Sequence, residues 1–205
     1  MTRGLFIVFE GLDGSGKTTQ AKLLADSLTA RGRRVHLTAE PTAGPIGAEL
    51  RHYLAHRLSF DPRVLPYLFA ADRADHLYNA ENGILAVLES GVTVICDRYV
   101  LSSLAYQSTE AARELVETLN RDFPPPDLTV YLDVTPEEGL AAKQRQSHLS
   151  EANDTLHKQA AVAREYARAL DQLGAAHHVM RLRLLDRSPA ETAAAILKAV
   201  DPLGA

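Results

Sequence analysis

Near the amino end of the chain, Gly11-Leu12-Asp13-Gly14-Ser15-Gly16-Lys17-Thr18 fits the pattern G-x-x-x-x-G-K-[ST]. No other stretch restricts the fold as much. Its glycines let the backbone turn tightly, so that successive N–H groups face a single anion. The helix that follows adds its own N-terminal N–H groups and the positive end of its dipole. A loop of this kind needs a strand to deliver it and a helix to leave it. Leu5–Glu10 reads as that strand, and Ala21, Leu24, Ala25 and Leu28 supply helical apolar spacing within Thr18–Ala30. In this context Lys17 is expected to reach the β- and γ-phosphates of ATP and Thr18 to ligate Mg²⁺. The competing reading is a glycine turn with no ligand. The flanking strand and helix, which the phosphate chemistry requires, weigh against it.

The rest of the chain alternates in the same way. Strand patterns recur at Arg34–Ala39, Thr93–Cys96, Leu128–Val134 and His177–Leu184. Helical patterns cover Ile46–His56, Pro66–Ser90, Leu101–Asn120, a long stretch from Thr135 to about Leu173, and Pro189–Val200. Thr135-Pro136-Glu137-Glu138 predicts a helix start, with Thr135 as N-cap, Pro136 in the first position and Glu138 closing a capping box. Strands that alternate with helices predict parallel pairing. Runs as apolar as Val92-Thr93-Val94-Ile95-Cys96 fit strands buried on both faces. The expected fold is therefore an α/β, P-loop NTPase-type three-layer arrangement, with a five-stranded parallel sheet and helices on both faces. No repeat, linker or low-complexity tract divides it, so residues 1–205 are expected to form one domain. Gln144–Lys158 is polar and reads either as part of a lid, at about 141–158, or as an exposed helix.

The totals narrow the class of partner. A net charge of −4 gives no basic excess for a broad nucleic-acid or anionic-membrane surface. No apolar run reaches the roughly 18–20 residues that a membrane helix needs. The single cysteine, Cys96, lies in an apolar strand pattern and reads as a buried reduced thiol. With no leader-like pattern at the start, this suggests a cytoplasmic setting.

Three further groups are candidates for the site. Asp97-Arg98 follows the third strand, where open α/β sheets bind their ligands. Asp97 is placed to hold Mg²⁺ or its water, and Arg98 to hold a phosphate. The alternative is a surface ion pair. Phe69 and Arg73 share a helical face, so they could stack on a base and bond to its edge, or be a core residue and its solvated neighbour. Ser102, Ser103, Tyr106 and Gln107 sit on adjacent helical rows and line either a small polar pocket or an amphipathic boundary.

The segment Phe6-Ile7-Val8-Phe9-Glu10-Gly11-Leu12-Asp13-Gly14-Ser15-Gly16-Lys17-Thr18-Thr19-Gln20 strongly resembles the opening of thymidylate kinases. So do, in order, Glu40-Pro41, Leu68-Phe69-Ala70-Ala71-Asp72-Arg73, Asp97-Arg98-Tyr99, Ser102-Ser103-Leu104-Ala105-Tyr106-Gln107 and Pro126-Asp127-Leu128-Thr129-Val130-Tyr131-Leu132-Asp133-Val134. The resemblance implies transfer of the ATP γ-phosphate to dTMP, giving dTDP, and a homodimer. It also implies residue roles. Phe69 would stack on thymine, and Arg73 and Ser103 would bond to its edge. Tyr106 would crowd the sugar 2′ position, and Asp13 would meet the 3′-hydroxyl. Arg51 would contact the acceptor phosphate. Arg98 would hold it and, with Lys17, neutralise the transferring group. Glu40-Pro41 would form a turn near it, often with a cis proline.

The sequence departs from the family in the lid. Many bacterial members carry several arginines there, whereas Ala141-Ala142-Lys143-Gln144-Arg145-Gln146 keeps only Lys143 and Arg145 as cations. The phosphate loop has no arginine either. Charge stabilisation drives phosphoryl transfer, so Arg145 is the expected substitute. The alternatives are a kinase for another or modified pyrimidine nucleotide, or a low-activity nucleotide-binding regulatory protein.

Overall fold

The structure, a computed structural model, describes residues 2–146, 152–173, 177–184 and 187–204. Strand β1 (Phe6–Gly11) is buried at all six positions, because both of its faces are covered. Ile7 and Phe9 point to one side, and Phe6 and Val8 to the other. That is the period-2 alternation of a strand, with apolar residues on both faces. Strands β2 (Val35–Ala39), β3 (Thr93–Asp97), β4 (Leu128–Asp133) and β5 (Val179–Arg183) complete a parallel sheet in the order β2-β3-β1-β4-β5. The expected five-stranded architecture is the one observed.

Helix α1 (Lys17–Ala30) and helix α9 (Pro189–Val200) cover one face. Their Leu24, Leu28, Ile196 and Val200 pack on Ile7, Phe9, Ile95 and Val130. Helices α3 (Leu65–Tyr78), α4 (Ile84–Glu89), α5 (Val100–Tyr106) and α8 (Ala152–Gln172) cover the opposite face. Full burial of such side chains contributes about 1.5–3 kcal/mol each. Helix α2 (Pro45–Leu54) packs on α3, and α6 (Arg113–Asn120) on α3 and α5. Helix α7 (Pro136–Gln146) starts at the expected capping box, in which the Glu138 N–H donates to Thr135 Oγ1 and the Thr135 N–H to Glu138 Oε2.

Three expected helices are corrected. The stretch read as one helix over 66–90 is α3 and α4, separated by a turn. Asn79 leaves helical geometry there, and the Gly83 N–H closes on its carbonyl at 2.9 Å. A Cβ on Gly83 would lie 2.5 Å from that oxygen, so the turn needs glycine. The stretch 101–120 is likewise two helices, joined through a 3₁₀ turn at Gln107–Thr109 and an extended Ala112. The long stretch 135–173 is α7 and α8. Residues 147–151 of the expected lid lie outside the described residues.

Candidate active site

β1 lies between β3 and β4, so the loops leaving the carboxyl ends of β1 and β3 stand side by side, with Phe9 paired to Asp97. The first is the phosphate loop. Gly14 and Gly16 adopt positive φ angles of 79° and 83°, and no side chain caps the start of α1. Above the loop is a cavity of about 270 Å³ lined by Asp13, Lys17, Thr18, Thr19, Asp97, Arg98 and Lys143, among others.

Lys17 is 6 % exposed and donates to the Leu12 carbonyl at 2.7 Å. Burial, and then the nearby Arg98 charge, push its pKa down to about 7. The free site therefore holds an ammonium group without full compensation, and an anion in the cavity would restore it. Thr18 Oγ1 donates to Asp97 Oδ2 at 2.5 Å, while Asp97 Oδ1 is buried with no hydrogen-bond partner among the described residues. A hydroxyl and a carboxylate with an unused buried oxygen, both lining the cavity, suit the oxygen chemistry of Mg²⁺. The alternative of an Asp97–Arg98 ion pair is not what forms, since each residue turns to a different partner.

Arg98 has φ +75°, a costly backbone for a bulky side chain. That geometry aims its guanidinium back across the phosphate loop. Nη2 donates to Asp13 Oδ1 and, at 3.3 Å, to the Tyr106 hydroxyl, while Nη1 donates to Ser102 Oγ at 3.0 Å. The charge also lies 4.8 Å from the centre of the Tyr106 ring. Tyr106 in turn donates to Asp13 at 3.1 Å. On the other oxygen of Asp13 sits Lys143 Nζ, at 3.3 Å. Burial pushes the Asp13 pKa up, but Arg98, Lys17 and Lys143 outweigh it and bring it to about 2.

A second cluster lies on the far side of α5. The Arg73 side chain is only 1 % exposed, which excludes the solvated-neighbour reading. It donates to Glu40 at 2.7 Å, to Ser103 Oγ at 3.0 Å and to the Asn120 carbonyl oxygen. Its face lies over Tyr99 at 5.1 Å. Glu40 Oε1 pairs with His76 Nδ1 at 3.1 Å. Glu40 and Ser103, both expected at the substrate, both bond to Arg73. The Glu40-Pro41 bond is cis. Arg51, exposed on α2, donates to the Pro41 carbonyl at 3.4 Å. Phe69 is half-buried and belongs to none of the three core clusters. Gln107 is buried, with its Oε1 unpaired among the described residues. Arg145 is exposed, makes no hydrogen bond or ion pair among the described residues and does not line the cavity.

Adjacent residues of α5 thus hold the two arginines: Ser102 holds Arg98 and Ser103 holds Arg73. Glu10, absent from the sequence-derived site, fixes this helix. Its fully buried carboxylate accepts from the Tyr99 and Ser102 N–H groups, from Ser102 Oγ and from Tyr166 OH. Burial raises its pKa, and these donors partly offset that rise. The signal was legible, since Glu10 is an acid at the end of an otherwise apolar strand run. Asn120, His76 and Tyr166 gave no comparable signal, because each sits in an ordinary helical pattern.

Comparison with known proteins adds the following. A family model described as thymidylate kinase matches residues 9–183. A "Probable thymidylate kinase" from Pyrococcus abyssi is 41 % identical over 172 residues, covering 80 % of this chain and 82 % of the relative. A "Thymidylate kinase" from Ruegeria pomeroyi is 44 % identical over 152 residues, covering 70 % of each. One from Trichlorobacter lovleyi is 44 % identical over 149 residues, covering 69 % of each.

Proposed function

This chain belongs to the thymidylate kinase family, and on that premise we propose that it transfers the γ-phosphoryl group of ATP to dTMP, giving ADP and dTDP. The observation that carries the reading is Arg98. It is bonded to Asp13 of the phosphate loop and to Ser102 of the helix whose next residue holds Arg73. One cation therefore lines the donor cavity and is held by the residue of α5 next to the one that holds the second arginine.

The chemistry is a displacement at phosphorus. An oxygen of the dTMP phosphate forms a bond to the γ-phosphorus, and the bond to the β,γ-bridging oxygen breaks with its electron pair leaving on ADP. The protein's part is positioning and charge. Lys17 and the loop N–H groups hold the triphosphate, and Arg98 neutralises charge between donor and acceptor. Thr18 and Asp97 would hold Mg²⁺, which would supply positive charge to the triphosphate. Arg51 meets the acceptor phosphate. Phe69 stacks on the base, Arg73 bonds to its edge, and Tyr106 excludes a 2′-hydroxyl.

Exposed Leu54, Leu58, Val64, Tyr67 and Tyr78, concentrated around α2 and α3, support a homodimer. Light scattering on the purified chain checks it, and a monomer at micromolar concentration counts against it. The buried, protonated thiol of Cys96 suits a cytoplasmic setting; a fluorescent fusion found outside the cytoplasm would reject this. No helix among the described residues is long and apolar enough to cross a membrane.

The test of function is ADP release across a panel of nucleoside monophosphates. dTMP is expected to give the highest kcat/KM, well above its ribose counterpart. A higher value for another pyrimidine nucleotide would move the substrate assignment, and no ADP release with any acceptor would reject the kinase reading.

A further inference from the structure

α7 is locked to the phosphate loop by two glycines. A Cβ on Gly14 would lie 2.0 Å from the Gly139 carbonyl oxygen, and one on Gly139 would lie 2.5 Å from the Asp13 carbonyl oxygen. The two backbones touch with no room for a side chain, so Gly139 marks the face of α7 that lies on the loop. Residues four apart share a helical face, and Lys143 is four residues beyond Gly139. Arg145 is two residues further on, where the helix has turned by about 200°. The side chains follow this geometry. Lys143 lines the cavity and lies 3.3 Å from Asp13, whereas Arg145 is not among the residues that line it.

Asp13 therefore gathers two cations, with Arg98 on one oxygen and Lys143 on the other. Arg98 comes from the β3 side and Lys143 from α7, so they approach the cavity from different elements. When Lys17 carries its proton, they make three cations with it against the two carboxylates, Asp13 and Asp97, that line the same space. Lys143 is 45 % exposed, unlike the buried Lys17.

We infer that Lys143, held at the cavity by Asp13 and by the Gly14–Gly139 contact, is the catalytic cation that takes the place of the missing lid arginines. Arg145 does not fill that role. This rests on the kinase reading above. Lys143 leaves Asp13 for the transferring phosphoryl oxygens when the nucleotides are bound, and the sugar hydroxyl then has access to the vacated carboxylate oxygen. An ammonium group suffices because the task is to supply charge to spread oxygens, not to make a planar two-pronged contact.

The test compares the full chain with Lys143→Ala, Lys143→Arg and Arg145→Ala, at saturating ATP and dTMP. Lys143→Ala is expected to lower kcat by about 100-fold or more, near the weaker end of what such cations give. The KM for dTMP should move little, because the contact strengthens in the transition state. Lys143→Arg should retain much of the rate, and Arg145→Ala nearly all of it. Binding gives a second readout. Lys143→Ala should lose affinity for ADP with aluminium fluoride and dTMP, but not for ADP alone. Unchanged kcat in Lys143→Ala, or a larger loss in Arg145→Ala, overturns the inference while leaving the kinase reading intact. If the unaltered chain transfers no phosphoryl group to dTMP, both fall together.

Discussion

Lys17 shows how a single residue couples burial to ligand binding. Its free-state pKa of about 7 means that at pH 8 most of its ammonium groups are deprotonated. A bound triphosphate favours the charged form and raises that pKa. ATP binding at pH 8 should therefore take up close to one proton, and affinity should fall as the pH rises above 7. Below that pH, Lys17 is already charged and adds no slope. Calorimetry in two buffers of different ionisation enthalpy measures the uptake, and Lys17→Met should abolish it. Equal apparent enthalpies in both buffers would contradict the proposed environment of Lys17. Phe69 offers a separate check at this scale. Phe69→Ala should weaken dTMP binding by about 1–3 kcal/mol, the scale of base stacking on an aromatic ring, with ATP affinity unchanged. Its place outside the core clusters implies little effect on thermal stability. A protein that unfolds instead would return Phe69 to the core.

At the scale of elements, α5 joins the two halves of the site. Glu10 anchors its first turn from β1, and its neighbouring serines hold one arginine each. This division of labour can be measured. Ser103→Ala leaves one donor of the buried Arg73 unpaired, which typically costs about 1–3 kcal/mol. It should raise the KM for dTMP with ATP parameters unchanged. Ser102→Ala removes one of the partners of Arg98 and also a partner of Glu10, so its main effect should fall on kcat. If the two variants give the same kinetic pattern, α5 does not divide its work in this way. The sequence carried part of this element. The spacing of Ser102, Ser103 and Tyr106 placed them on adjacent rows of a helix, but periodicity alone left pocket and boundary equally open. Their contacts run to Glu10, Arg73 and Asp13, at least thirty positions away in the chain, and no local pattern encodes those. The broken helices follow the same logic. Local propensity ran through Asn79–Gly83 and Gln107–Ala112, whereas the backbone turns in both places, so that α4 packs on the sheet and α6 on α3 and α5. Arg145 and Lys143 lie two positions apart, so the helical turn puts them on different sides of α7, and the contact of Gly139 with the phosphate loop shows which side faces the cavity.

At the scale of the molecule, the fold was legible because its strands are apolar on both faces and alternate with helices. The phosphate loop then fixed where the nucleotide end must lie. The five-stranded parallel sheet follows from those two signals, and the family match over residues 9–183 agrees with it. The proposed acceptor side was legible mainly through resemblance, since Glu40-Pro41, Phe69 with Arg73, and Ser103 come from three separate segments. The proposed transfer needs donor loop, bridging arginine and acceptor pocket together. Incubating the protein with γ-labelled ATP, Mg²⁺ and dTMP and separating the nucleotides tests it directly. The label should pass to dTDP in an amount equal to the ADP formed, and Lys17→Ala should lose most of this transfer while keeping its fold. Label released as inorganic phosphate, with none in dTDP, would contradict the account.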